Sequence, residues 1–143
     1  MPHERIEDAP TSDVGIRAWG ATLAECFAAA AEATVEMMID NRAAIEPRTT
    51  LAIDVAAEEL ELTLLRFLEE LLFHKDARSL LLRCDQVSVE PSADGWRARA
   101  RARGETIDPG RHNLALDVKA VTLHRLAVRQ TAAGWEATVV LDV

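Results

Sequence analysis

The sequence predicts an α+β fold with two main helices and a largely antiparallel sheet. Three observations carry that expectation. Two segments of helical period lie in the first half of the chain, a short strand-like run precedes each of them, and the second half is a succession of β-branched runs separated by turn signals. At 143 residues, 49% apolar and 28% charged, the chain has the make-up of one soluble domain, residues 1–143, with no repeat or linker to divide it. A chain of this size buries about two thirds of its unfolded surface.

The elements follow in order. Val14 to Trp19 is apolar and β-branched and reads as a short strand before Gly20. Thr22 suits a helix N-cap, with Glu25 three residues on as capping-box partner, and Leu23, Cys26, Phe27, Ala30, Ala31, Thr34 and Met38 keep helical spacing towards an end near Asp40-Asn41. Six alanines between 24 and 33 make this helix thin enough for a sheet to approach closely. Beyond Pro47, Leu51, Ile53 and Val55 alternate with polar or small neighbours, the period of a half-buried strand over Thr49 to Val55. A second helix is expected from about Ala57 to His74, with Leu60, Leu64, Phe67, Leu68, Leu71 and Leu72 on one stripe.

Leu80 to Val89 reads as a strand, joined through Asp94-Gly95 to Trp96 to Arg103 in a hairpin whose loop is expected to exceed two residues. Gly104 to His112 is expected to be a loop. Strands are then expected at Leu114 to Val121, Leu123 to Gln130 and Trp135 to Val143, which makes five or six strands after the second helix.

Charge and cysteine usage exclude several classes of function. A formal charge of -8 makes the chain a poor primary binder of nucleic acid, which needs clustered Lys and Arg, so any contact with RNA is expected to be indirect. Cys26 and Cys84 stand far apart in apolar stretches and read as reduced core thiols. No run reaches roughly 18 apolar residues, and Met1-Pro2-His3-Glu4-Arg5 lacks a signal-peptide core, so no membrane association and a cytoplasmic location are expected. Gly-rich phosphate loops, nucleophile elbows and zinc-binding spacings are absent, which disfavours a self-contained enzyme.

Three groups of residues remain as carriers of chemistry. Leu141-Asp142-Val143 ends a hydrophobic strand on an acid, setting the Asp142 side chain one residue from the Val143 carboxylate. Asp13 precedes another strand. It is either a turn residue bonding its own backbone or, if the two strand ends converge, a third oxygen donor for a hard divalent cation. Asp117 to His124 concentrates polar groups inside an apolar setting: His124 reads as a metal ligand, a proton carrier or a strand-end histidine, and Lys119 as an offset to a carboxylate cluster, a partner contact or a solvated lysine. Arg97, Arg99, Arg101 and Arg103 alternate with alanines, so all four project to one side of a strand over about 20 Å. That basic ridge either meets RNA phosphates or an acidic partner, or is paired by acids across the hairpin, between Asp85 and Glu90.

Taken together, these motifs resemble the archease family. The resemblance rests on residues 11–20 with Leu23, Glu25 and Phe27, on Leu64 to Leu72, on Gly104-Glu105 with Asp108, on Lys119 to His124, and on Trp135 with Asp142-Val143. It implies an archease-like α+β fold and a non-catalytic activator of an RtcB-type RNA ligase in tRNA splicing and RNA repair. That ligase joins 2′,3′-cyclic phosphate or 3′-phosphate ends to 5′-hydroxyl ends after GTP-dependent guanylation of its own histidine. The resemblance further implies accelerated guanylation, multiple turnover and an acidic metal site. Asp13 and Asp142 match the family's acids, Val143 adds a third donor, and calcium is the expected ion, with magnesium or manganese as alternatives. One departure stands out: Ala9-Pro10 occupies the place of the family's usual histidine before the Thr-x-Asp triplet, and Asp8 reads as a turn position or a substitute acid. Two rival functions fit the same residues less fully, a general chaperone or assembly modulator and a stand-alone metal-dependent phosphohydrolase.

Overall fold

The structure is a computed structural model that describes residues 2–6 and 13–143; Asp8, Ala9 and Pro10 lie outside the described residues. The elements are β1 (His3–Ile6), β2 (Asp13–Gly20), α1 (Leu23–Met38), a 3-10 turn (Arg42–Ala44), β3 (Thr49–Ala57), α2 (Leu60–Arg78), β4 (Leu80–Ser92), β5 (Gly95–Thr106), β6 (Ala120–Thr131) and β7 (Gly134–Asp142). The strands form two antiparallel sheets where one was expected, a four-stranded sheet β1-β2-β7-β6 and a three-stranded sheet β3-β5-β4. The α+β class stands. Among the described residues no helix is long and apolar enough to cross a membrane.

Both helices pack on both sheets, which fuses the two sheets around one core. Helix α1 lies against β2 and β4, and α2 against β3 and β6. The alanines at 28–31 and 33 are buried on α1, so strands approach it from more than one side. Phe27 of α1 meets Phe67 of α2 with ring centroids 5.8 Å apart, both rings fully buried. Thr22 caps α1 as expected, its hydroxyl accepting from the Glu25 N–H at 3.1 Å. The Glu25 carboxylate accepts in turn from the N–H of Ala21, at 2.8 Å, one residue ahead of the usual capping-box partner.

Several boundaries differ from the sequence expectation, each for a tertiary reason. Helix α1 stops at Met38 because its last carbonyls are claimed by a distant segment: the N–H groups of Ala115 and Leu116 donate to Met38 and Met37, each at 2.9 Å. For the same reason the strand expected over Leu114 to Val121 does not form before Ala120; Leu114 makes only an isolated bridge to Ile39, and its neighbours bond to a helix end instead of a ladder. The strand expected from Leu123 starts earlier, at Ala120, and carries an irregularity between Thr122 and Ala127. Helix α2 begins at Leu60, since Ala56 and Ala57 are still paired with Arg97 and Trp96, and it runs on to Arg78. Strand β5 extends through Glu105 and Thr106, which pair with Leu81 and Leu80, so the following loop starts at Ile107. The β4–β5 turn is two residues, Ala93-Asp94, because Ser92 pairs with Gly95. Strand β1 has no expected counterpart: His3-Glu4-Arg5-Ile6 is an edge strand too polar to show alternation.

Candidate metal centre

Strand β2 starts at Asp13 and β7 ends at Asp142, and antiparallel pairing brings the start of one beside the end of the other. The register makes Asp13 the direct partner of Asp142. Below them Val14, Ile16 and Ala18 pair with Leu141, Val139 and Ala137, all buried. Since side chains alternate, this inward set turns Asp13 and Asp142 together onto the opposite face. Directly opposed residues have Cβ atoms about 4.5–5.5 Å apart. Two partly buried carboxylates thus share one small region, and neither makes an ion pair among the described residues.

On its other side Asp142 is flanked by β6, where Ala120 is its partner and the N–H of Lys119 donates to its carbonyl at 2.8 Å. Its backbone is therefore fixed from both directions. Val143 follows with its side chain partly buried against the core. Among the described residues no three His, Cys, Asp or Glu side chains converge on one position, so the side-chain donors at this place are the two aspartates.

The other sequence-predicted residues divide. Lys119 is an exposed residue beside Asp142, not one in an apolar setting. His124 is also exposed, in the irregular stretch of β6 where Arg125 has φ 56, and no hydrogen bond or ion pair joins it to the aspartates. The four arginines do project together from β5 while Ala98, Ala100 and Ala102 are buried. They are not an open basic ridge. Asp54 of β3 takes Arg97 at 2.6 Å and Arg99 at 3.6 Å, while Asp85 of β4 takes Arg101 at 2.8 Å and Arg103 at 2.7 Å. Hydrogen bonds from Arg97 and Arg101 hold the carboxyls of Asp54 and Asp85 below their ordinary range. Both thiols are free, and burial pushes Cys26 up to about 11 and Cys84 up to about 12, which suits unreactive reduced cysteines.

The family model described as the Archease protein family (MTH1598/TM1083) matches residues 4–143. The chain belongs to the archease family. It is 37% identical to the protein archease of Thermococcus gammatolerans over 134 residues, covering 93% of this chain and 94% of that one. The solution structure of protein 1598 from Methanobacterium thermoautotrophicum matches with a TM-score of 0.83 at 30% identity, covering 99% of this chain and 98% of that one. The crystal structure of an archease from Thermotoga maritima, described as a possible chaperone, shares the fold at a TM-score of 0.64 and 15% identity over 100% of both chains.

This archease also holds a buried polar network that its sequence did not reveal as a site. Glu105 is 3% exposed and accepts from the N–H of Glu46 at 2.7 Å, from the Arg111 guanidinium, and from His112 Nε2 at 3.0 Å. His112 Nδ1 accepts from the Asp108 N–H at 2.8 Å, which assigns the proton to Nε2. Asp108 in turn binds the Gly110 N–H and Arg111, so the loop after β5 is tied down through its own side chains. The hydrogen bond from Arg111, with those from Glu46 and His112, lowers the Glu105 carboxyl to about 2. The hints in the sequence were Glu105, an acid beside Gly104, and Asp108 three residues on. Glycine is needed at position 104 because a Cβ would lie 1.7 Å from the Leu81 carbonyl oxygen.

Proposed function

We propose that this archease activates an RtcB-type, GTP-dependent RNA ligase in tRNA splicing or RNA repair, without catalysing a reaction itself. In this reading Asp13 and Asp142, with Val143 as a third oxygen donor, hold a divalent cation, calcium first, with magnesium or manganese accepted by the same oxygens. The observation that supports it best is the direct pairing of Asp13 with Asp142, which sets two hard anionic donors side by side, neither of them in an ion pair among the described residues. Lys119 lies next to them as a contact for a partner's acidic group.

Activation requires that the protein bind the ligase state that reacts with GTP more tightly than the other states. The acidic charge of -8 and the pairing of the ridge arginines by Asp54 and Asp85 favour a protein partner over direct RNA binding. A cytoplasmic location is part of the same proposal.

The test is guanylation of the cognate ligase at limiting GTP, with and without this protein, with and without chelator. Stimulation is expected for the native chain and is expected to vanish in Asp13→Ala and Asp142→Ala, with circular dichroism unchanged. Undiminished stimulation by both variants overturns the metal role. Stimulation that survives chelation and extends to unrelated clients favours the chaperone reading, which the description of the Thermotoga protein shares. Phosphoester turnover by the protein alone favours the hydrolase.

A further inference from the structure

A second place in the molecule gathers opposite chemistry. Between α1, the segment after the 3-10 turn and the β4–β5 ladder lies a cavity of about 450 Å³ lined by Glu32, Arg42, Ile45, Pro47, Arg83, Cys84, Asp85 and Arg103. This volume falls within the usual range for small-molecule sites. Three guanidiniums and two carboxylates meet there, an excess of positive charge on a protein whose total is -8.

The arrangement of the arginines is the unusual feature. Arg83 and Arg103 are direct partners across the β4–β5 ladder, so two like charges stand on one face about 5 Å apart at Cβ, a destabilising pairing. Each leans to a different acid: Arg83 to Glu32, and Arg103 to Asp85 at 2.7 Å. Glu32 is also ion-paired with Arg42 at 3.1 Å, and Arg42 reaches Glu36 at 2.9 Å, while Asp85 already accepts from Nε and one Nη of Arg101, each at 2.8 Å. The acids are therefore shared, and counting Arg101 and Glu36 leaves the guanidiniums still in excess. The side chains of Arg42, Arg83 and Arg103 remain 31%, 42% and 42% exposed, so their unused N–H groups are accessible from the cavity. Cys84 stays protonated and adds no negative charge. Ile45 and Pro47 add apolar surface to the lining.

We propose that this cavity binds a small phosphorylated molecule whose phosphate bridges Arg83 and Arg103, with Arg42 beside it and the body of the ligand against Ile45 and Pro47. A phosphate accepts from two forked guanidiniums at once and cancels the repulsion between them, which a lysine pair matches less well. The site uses other elements than the Asp13–Asp142 pair, so its fate is independent of the proposed metal centre.

Isothermal titration of the full chain with AMP, adenosine and inorganic phosphate tests it. AMP is expected to bind and to weaken with added salt, phosphate to bind less tightly, and adenosine not at all. Arg103→Gln is expected to lower AMP affinity about tenfold or more, with Arg103→Lys between the two. Either variant leaves Asp85 bonded to Arg101, which preserves the local fold. Arg99→Gln, on the same strand but paired with Asp54, is expected to bind AMP as the native chain does. Absence of AMP binding at about 1 mM, equal binding of adenosine, or unchanged affinity in Arg103→Gln overturns the proposal.

Discussion

Replacing Asp13 or Asp142 by Asn separates a cation site from a structural acid by the sign of the stability change. The two residues are direct partners, which sets their Cβ atoms about 5 Å apart. Coulomb repulsion between charges at a similar separation is about 1 kcal/mol in water-like surroundings and about 3 kcal/mol at an effective dielectric near 20. Both residues are partly open to solvent, which places the cost nearer the lower figure. Without a divalent cation, each Asn variant is therefore expected to be as stable as the native chain or up to about 1 kcal/mol more stable. If the pair binds calcium, a concentration about 100 times the dissociation constant is expected to add about 2.7 kcal/mol to the native chain. For a chain of this length that raises Tm by roughly 8–13 °C. The Asn variants are expected to show almost none of that rise. The assay is thermal unfolding with chelator and with added calcium, magnesium or manganese. An Asn variant that loses stability in chelator makes the acid a structural hydrogen-bonding group, and one that keeps the full cation shift shows that the ion does not need that carboxylate; either result refutes the reasoning.

Three further outcomes follow from the packing and the polar network. Glu105 has its folded pKa lowered from 4.5 to about 2, so its contribution is fully present above about pH 4.5 and is lost as pH falls towards 2. Glu105→Gln is expected to be less stable at neutral pH and to flatten the acid limb of the stability profile in that window, read by urea unfolding at a series of pH values. Phe27→Ala removes a fully buried ring that joins α1 to α2 and is expected to cost about 3–5 kcal/mol, measured by denaturant unfolding. Gly104→Ala drives a Cβ into the Leu81 backbone and forces β4 from β5, so expression as soluble, folded protein is expected to fall sharply while Gly110→Ala, which meets only the end of Asp108 at 3.3 Å, is tolerated.

What the sequence disclosed was whatever is local and periodic. The Thr22 cap, the stripe from Leu60 to Leu72 and the Arg-Ala alternation of β5 are fixed by neighbours a few positions away, and the structure keeps each of them. Pairings between distant segments were only partly legible. The hairpin supplied Asp85 as an arginine partner, but Asp54 was hidden, because nothing in residues 49–57 announces that this strand lies beside β5. The strand expected at Leu114 fails for the same reason: its apolar residues suit a ladder, yet the carbonyls ending α1 claim its N–H groups. His112 and Glu105 read as loop residues because their burial depends on Arg111 and on the Glu46 backbone arriving from elsewhere.

The meeting of Asp13 with Asp142 is itself a consequence of register, and that dependence can be tested apart from charge. Val14, Ile16 and Ala18 lock against Leu141, Val139 and Ala137, and a slip of one residue in either strand turns its acid into the core. Exchanging the last pair, Leu141→Asp with Asp142→Leu, keeps composition and net charge and shifts the acid by a single position along the chain. It moves the carboxylate from the outer face to a position that is 0% exposed. Burying an unpaired carboxylate there, and losing the leucine, is expected to cost several kcal/mol and to abolish the cation-dependent rise in Tm. If general attraction of cations to an acidic strand end were the whole effect, the exchanged chain would keep that rise in proportion. Retention of the full calcium shift by the exchanged chain therefore refutes a site built on the β2–β7 register, whereas its loss, with the native response intact, means that facing geometry and not the number of acids holds the ion.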